Sequence, residues 1–368
     1  MPSTPLQQLA GYGQSAWIDY LSRSFVHDGD LAGLVREGLV GLTSNPTIFQ
    51  GAIAEGDAYD DQIRELVDKG VTDPKEIFWQ LAADDVRDAC DILASVYDQQ
   101  EGKDGWVSLE VDPGLSHDAQ ATISEAKRLH ELVGKPNVFI KIPATPEGLE
   151  AIEATIADGI PVNVTLIFSL ERHRKVAEAY LKGLRRLIES GGDPGGVASV
   201  ASFFVSRVDT ETDRRLEELG GHDELKGKLA IANAKLAYQN YKEIFSGSEW
   251  QELVSKGASP QRCLWASTST KNPDYRDVFY VEELVGADTV DTMPRETIEA
   301  TLDHGKIRAS LEEDVEGARQ TLQAIAEAGI EYDDVVATLE REGVEKFSKS
   351  FAELLEGIED KRKALVSV

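Results

Sequence analysis

The sequence predicts an α/β chain folded as a closed (β/α)₈ TIM barrel with additional helices, and three observations carry that reading. Eight short β-branched runs alternate with longer amphipathic segments along most of the chain. Within those runs, polar residues recur on one parity and apolar residues on the other, as the two faces of a barrel wall require. No repeat, low-complexity segment or linker divides the 368 residues, so 1–368 reads as a single domain. A doubly wound open sheet is the alternative arrangement of the same elements.

In chain order, strands are expected at Ser15–Leu21 and Leu39–Ser44, followed by helices at Asp57–Lys69 and Pro74–Gln99. The third strand, Trp106–Val111, leads to a helix at His117–Val133, and the fourth is Val138–Ile142. Thr145 before Pro146 is a helix N-cap signal, so the next helix runs Pro146–Ala157. Strand five is Pro161–Ile167, and Ser169-Leu170-Glu171 starts a helix reaching Glu189. The run from Ser190 to Gly196 is a glycine-rich loop before the sixth strand, Val197–Val205. Residues 210–260 are charged and helical, and form the largest insertion, between strands six and seven. Strand seven is Arg262–Ser267 and strand eight Ala287–Thr289. After Pro294 the chain is helical to its end. There Val336, Leu339, Phe347, Phe351, Leu354, Leu355 and Ile358 space as one buried face, interrupted near Gly343.

Composition excludes several classes. A net charge of −28 disfavours nucleic acid and anionic membrane as partners. It also repels phosphorylated ligands at long range, but salt screens that field over about 8 Å, so a few local cations suffice for an anion site. No stretch approaches the roughly 20 apolar residues of a membrane helix, and Met1 to Gly13 is unlike a signal peptide. Two cysteines, Cys90 and Cys263, lack metal-ligand spacing or a disulfide pattern, which makes the cytoplasm the expected location. Monomer and homodimer both remain open.

Strands buried on both faces by apolar layers read as continuous apolar runs, and these do not. Asp19 opposes Ala16 and Ile18, while Thr43 and Asn45 oppose Val40 and Leu42. Ser108 and Glu110 oppose Val107, Leu109 and Val111. Phe139 and Lys141 oppose Val138, Ile140 and Ile142, and Asn163 and Thr165 oppose Val162, Val164 and Leu166. In the seventh strand Ser267 and Ser269 are assigned the parity opposite Leu264 and Ala266. The polar members cluster late in their strands, at the end where barrel enzymes carry their chemistry.

Lys141 is the most pointed of them, since removing an ammonium from water costs several kcal/mol. An ion pair answers that cost, and so does a neutral amine, which attacks carbonyls to form a Schiff base. Asp19 and Glu110 are two carboxylates available for proton transfer, and Asn45, Asn163 and Thr165 can hold hydroxyls or a water. These strands contain no histidine, which argues against a Ser-His-Asp hydrolase.

Five stretches sharpen this inventory: Gly41 to Phe49, Val107 to Pro113, Val138 to Thr145, Asn163 to Ser169 and Ala201 to Arg207. In order and in content they resemble the transaldolases of the pentose phosphate pathway, and Trp265 to Asn272 resembles the longer bacterial branch. The resemblance implies that Lys141 forms the Schiff base with a ketose phosphate. It implies that Asp19 exchanges a proton with the C4 hydroxyl, and that Glu110 works through a water held by Thr165. Asn45 and Asn163 would hold the dihydroxyacetone unit, with Thr43 and Ser202 around it. No metal or organic cofactor is implied. Arg207 matches the family's first phosphate arginine. Many relatives place a second arginine shortly after the serine of the seventh strand. Here Ser267 is followed by Thr268-Ser269-Thr270-Lys271, leaving Lys271 the charge and Ser269 a hydrogen bond.

Fructose 6-phosphate aldolases resemble this chain too, but tend to carry a tyrosine at the position of Phe204 and a glutamine at that of Glu110. A non-catalytic sugar-phosphate-binding protein would not need a lysine flanked by two carboxylates. Gly11-Tyr12-Gly13-Gln14-Ser15-Ala16 loosely matches a dinucleotide motif, yet it precedes a strand rather than following one. Asn163-Val164-Thr165 is a formal glycosylation sequon inside an expected buried strand.

Overall fold

The computed structural model describes residues 3–54 and 56–366; the last two residues of the expected C-terminal helical stretch lie outside these. Eight parallel strands close into a barrel in sequence order: β1 Gln14–Asp19, β2 Gly41–Thr43, β3 Trp106–Glu110, β4 Val138–Pro143, β5 Val162–Ile167, β6 Ser199–Phe204, β7 Arg262–Ala266 and β8 Thr289–Met293. The closure pairs β8 with β1, from Thr289 opposite Gln14 to Met293 opposite Ile18.

The parity reading locates the interior. Asn163 on β5 donates to Ser108 on β3 at 3.0 Å, past the intervening β4, so the bond crosses the barrel lumen. Below that polar layer the lumen is filled by aromatic rings: Trp106 stacks on Phe139 at 4.2 Å between centroids, and Trp17 lies 6.1 Å from Phe139. Gly41 makes room for this layer, because a Cβ there would sit 2.4 Å from the Trp17 ring. At the N-terminal mouth, the buried Arg262 guanidinium is held by Asp104 at 3.0 Å and by the Ser15 hydroxyl at 2.8 Å. A cavity of about 220 Å³ opens at this N-terminal mouth too, lined by Trp106, Phe139, Val200 and Arg262, so it is the fold's habit of carrying its chemistry at the strand C-termini that points to the other mouth.

Helices Pro74–Gln99 and Pro146–Ala157 have the expected bounds, and the Thr145 hydroxyl accepts from Gly148 N at 3.0 Å as an N-cap. Between β6 and β7 lie helices Ser206–Leu219, Leu229–Ile244 and Ser248–Val254. No helix is long and apolar enough to cross a membrane among the described residues.

Three expectations need correction. Strand eight is Thr289–Met293 rather than Ala287–Thr289, because Asp288 adopts φ +55° and turns the chain before the strand begins. The real strand is Thr-Val-Asp-Thr-Met, whose polar content hides it from a hydropathy reading. In strand seven the parity is reversed. Cys263 approaches His173 of the outer helix layer at 3.6 Å, and Trp265 bonds Leu284 O, while Ala266 faces the lumen cavity. Ser267 still reaches the cavity because its backbone turns to φ +57° immediately after the strand.

The C-terminal helix, Tyr332–Val366, is not broken at Gly343. It crosses the C-terminal mouth there: a Cβ on Gly343 would lie 3.0 Å from the Leu166 side chain, so glycine permits the close approach. Beyond that point Phe351, Leu354 and Ile358 are buried, with Leu355 at the edge of the face.

Candidate active site

A cavity of about 220 Å³ opens at the C-terminal mouth of the barrel. It is smaller than the roughly 300–1,000 Å³ of sites for drug-sized ligands, which suits a small metabolite. Of the residues singled out from sequence, Asp19, Thr43, Asn45, Lys141, Thr165, Ser202, Phe204, Arg207, Ser267, Ser269 and Lys271 all line it. Glu110 and Asn163 sit just beneath, buried in the lumen.

Lys141 rises from β4 into the floor of this cavity. Its Nζ lies 3.0 Å from Glu110 Oε2 and donates to Ser44 O at 3.1 Å. Register explains the pairing, because Glu110 on β3 stands directly opposite Lys141 on β4. Burial pushes the Glu110 carboxyl above the ordinary carboxylate range, the Lys141 ammonium opposes this, and Asp19 adds to it. Both side chains are buried and held together at one depth, so Lys141 does not reach out to solvent.

Asp19 ends β1 and accepts from the Thr43 hydroxyl at 2.7 Å; Thr43 also contacts the Thr292 hydroxyl at 2.8 Å. Burial raises the Asp19 carboxyl, against the pull of Lys141, the Thr43 hydrogen bond, Arg207 and Lys271. Two buried carboxyls, both pushed above the ordinary carboxylate range, thus lie near one lysine, an arrangement suited to proton transfer.

The polar floor is cross-linked. Asn163 donates to Ser108, and its carbonyl oxygen accepts from the Ser202 hydroxyl at 2.7 Å. Thr165 Oγ1 is buried and makes no hydrogen bond to a described residue. Asn45 lines the cavity, and its Oδ1 accepts from Ile48 N at 3.1 Å.

On the opposite wall Arg207 stands in the first turn of the helix after β6, with Phe204 and Phe347 rings 5.2 and 5.9 Å from its Cζ. Lys271 donates to Ser269 Oγ at 2.6 Å, and Ser206 and Ser267 hydroxyls meet at 3.0 Å.

Sequence reasoning missed four residues here. Thr292 lines the cavity from β8, the strand that was misplaced. Asp291, next to it, faces away and accepts from the Thr268 hydroxyl at 2.8 Å, tying down the loop that carries Ser269 and Lys271; burial pushes its carboxyl up to about 7. Lys346 and Phe347 come from the C-terminal helix, far away in sequence. Phe347 had been assigned only to the buried face of that helix, and its ring lies 5.8 Å from Lys141 Nζ.

Comparison with known proteins agrees with this geometry. The family model described as Transaldolase/Fructose-6-phosphate aldolase matches residues 16–358. A transaldolase of Acidothermus cellulolyticus is 54% identical over 353 residues, covering 95% of each chain. Transaldolase 2 of Streptomyces coelicolor is 52% identical over 98% of each chain. A transaldolase of Thermobifida fusca is 50% identical over 96% of this chain and 97% of its own. With a full-length match and a lysine and two carboxylates in one barrel mouth, the chain belongs to the transaldolase/fructose-6-phosphate aldolase family.

Proposed function

We propose that this chain is a transaldolase that carries a dihydroxyacetone unit from sedoheptulose 7-phosphate to glyceraldehyde 3-phosphate. The products are erythrose 4-phosphate and fructose 6-phosphate. The observation that carries the reading is the buried contact of 3.0 Å between Lys141 and Glu110, beneath a cavity that Asp19 and Arg207 also line.

In this mechanism the Lys141 proton passes to Glu110, and the freed amine attacks the ketose C2 carbonyl. Glu110, through a water bound to the otherwise unpartnered Thr165 hydroxyl, returns a proton as the carbinolamine loses water. Asp19 then takes the C4 hydroxyl proton while the C3–C4 bond breaks, and the bonding electrons move into the iminium to leave an enamine on Lys141. The first aldehyde departs and the acceptor enters. The enamine attacks the acceptor carbonyl, Asp19 gives back its proton, and hydrolysis frees the lysine. Asn45 and Asn163 hold the retained unit, Asn163 together with the Ser202 to which it is bonded, and Thr43 keeps Asp19 in line. Arg207, Ser269 and Lys271 receive the phosphate, with Ser267 supporting that wall. The free, buried state of Cys90 and Cys263 supports a reducing cytoplasm as the place of work, and we take residues 1–368 as one working unit.

Transfer is favoured over release of dihydroxyacetone because Phe204 presents a ring without a hydroxyl to the cavity, and so offers the enamine no proton. The test is free dihydroxyacetone measured from fructose 6-phosphate, with and without an acceptor aldehyde. Little release without acceptor is expected; rapid release would assign the chain to the aldolases.

A pH profile gives a second check. Asp19 must be ionised to accept the C4 proton, so activity falls as pH drops through its folded-state pKa. Burial raises that pKa, so the acid limb of kcat/KM is expected above the ordinary carboxylate value of about 4. The limb belongs to the coupled Asp19 and Glu110 pair rather than to either alone. Full activity down to that ordinary value would contradict Asp19 as the base.

A further inference from the structure

The phosphate wall has more positive charge than its barrel strands and loops supply. Besides Arg207 and Lys271, the cavity is lined by Lys346, which projects from the C-terminal helix. These three cations come from separate parts of the chain and are gathered only by folding. Among the described residues, none of them has a carboxylate oxygen within 4.0 Å, although the protein carries a net charge of −28. Elsewhere on the same helix Lys349 pairs with Glu353 at 3.8 Å, and Lys361 with Asp60 at 3.1 Å. Asp19, Glu296 and Glu342 act on Arg207 and Lys271 only at longer range.

The helix that carries Lys346 is packed on the mouth through its neighbours, while Lys346 itself is exposed. Gly343 lets its backbone approach Leu166, and the Phe347 ring is buried between Lys141 and Arg207, 5.8 Å and 5.9 Å away. The ammonium of Lys346 is held below its ordinary pKa by the surrounding wall, then by Arg207 and Lys271, so the three charges sense one another. Like charges collected without counter-ions destabilise one another until an anion joins them. A dianionic phosphate group is the anion that matches three converging cations.

We propose that Lys346 determines specificity by binding the substrate phosphate together with Arg207 and Lys271, adding from the C-terminal helix a third charge to the two that the barrel supplies. This rests on the transaldolase reading.

The test compares the wild type with Lys346→Ala, Lys346→Arg and a surface control, Lys349→Ala. Two probes separate phosphate binding from chemistry: inorganic phosphate, titrated by calorimetry without turnover, and dihydroxyacetone, trapped on Lys141 with borohydride. For Lys346→Ala, the phosphate Kd and the KM for fructose 6-phosphate are expected to rise roughly five- to tenfold, with kcat within about twofold. Dihydroxyacetone trapping should be unchanged, Lys346→Arg should restore phosphate affinity, and the control should match wild type. Phosphate affinity and KM in Lys346→Ala equal to those of the control would overturn the proposal. Wild-type protein that traps nothing on Lys141 would overturn the transaldolase reading instead, and the phosphate titration would then decide the anion site alone.

Discussion

Lys141→Ala is expected to abolish transfer, lowering kcat by roughly 10⁴-fold or more, because the amine assigned to bond the ketose carbon is removed. The wild type, treated with fructose 6-phosphate and borohydride, should carry a reduced three-carbon adduct on Lys141 by mass spectrometry, and the variant none. Truncation also leaves the buried Glu110 carboxylate without its partner at 3.0 Å, a loss that costs about 3–5 kcal/mol when both charges are buried. Lys141→Arg separates the two effects. It keeps a cation beside Glu110 but cannot form an imine, so it should be folded and equally inactive. An adduct on another lysine, with Lys141 unmodified, would sink the mechanism.

Asp19→Asn should reduce kcat by about 10²–10⁴-fold while sparing Schiff-base formation, since general-base catalysis of this kind contributes that range. Asparagine is close in shape and its Oδ1 can still accept from Thr43, which holds Asp19 at 2.7 Å. What it cannot do is take the C4 proton. The ketose should therefore bind, form its iminium and stop before the C3–C4 bond breaks. Borohydride would then trap the six-carbon phosphorylated sugar on Lys141 rather than the three-carbon unit. A three-carbon adduct appearing at the wild-type rate would show that another group accepts the proton. The two variants thus divide the reaction at its middle step, and their adduct masses report which half survives.

How much of this was legible in the sequence depended on how local the signal was. The strand parities that set Lys141 against Ile140 and Ile142, and Glu110 against Leu109, follow from a period of two and need no tertiary information. They sufficed to put both groups in one lumen. Strand seven defeated the same logic, because its polar residues lie beyond its end and reach the cavity through a left-handed turn at Ser267. Strand eight was missed because Asp291 and Thr292 make it look like a loop. The buried aspartate there accepts one hydrogen bond from Thr268, brought alongside from the loop after β7, and burial pushes its carboxyl up to about 7.

Lys346 shows the limit most plainly. In the sequence it is one more lysine on an amphipathic helix, with the same spacing as its neighbours and no motif around it. Phe347 read correctly as an apolar residue of the buried face, yet periodicity could not say that the face would lie against Lys141 and Arg207. Hydrophobic period and strand parity are properties of neighbouring residues, so the linear chain already specified the eight strands, the lysine on the polar parity and the carboxylates that share it. Which cations converge on the mouth, and which carboxylates are kept away from them, depends on contacts between residues far apart in sequence. That was settled only when the C-terminal helix closed over the barrel.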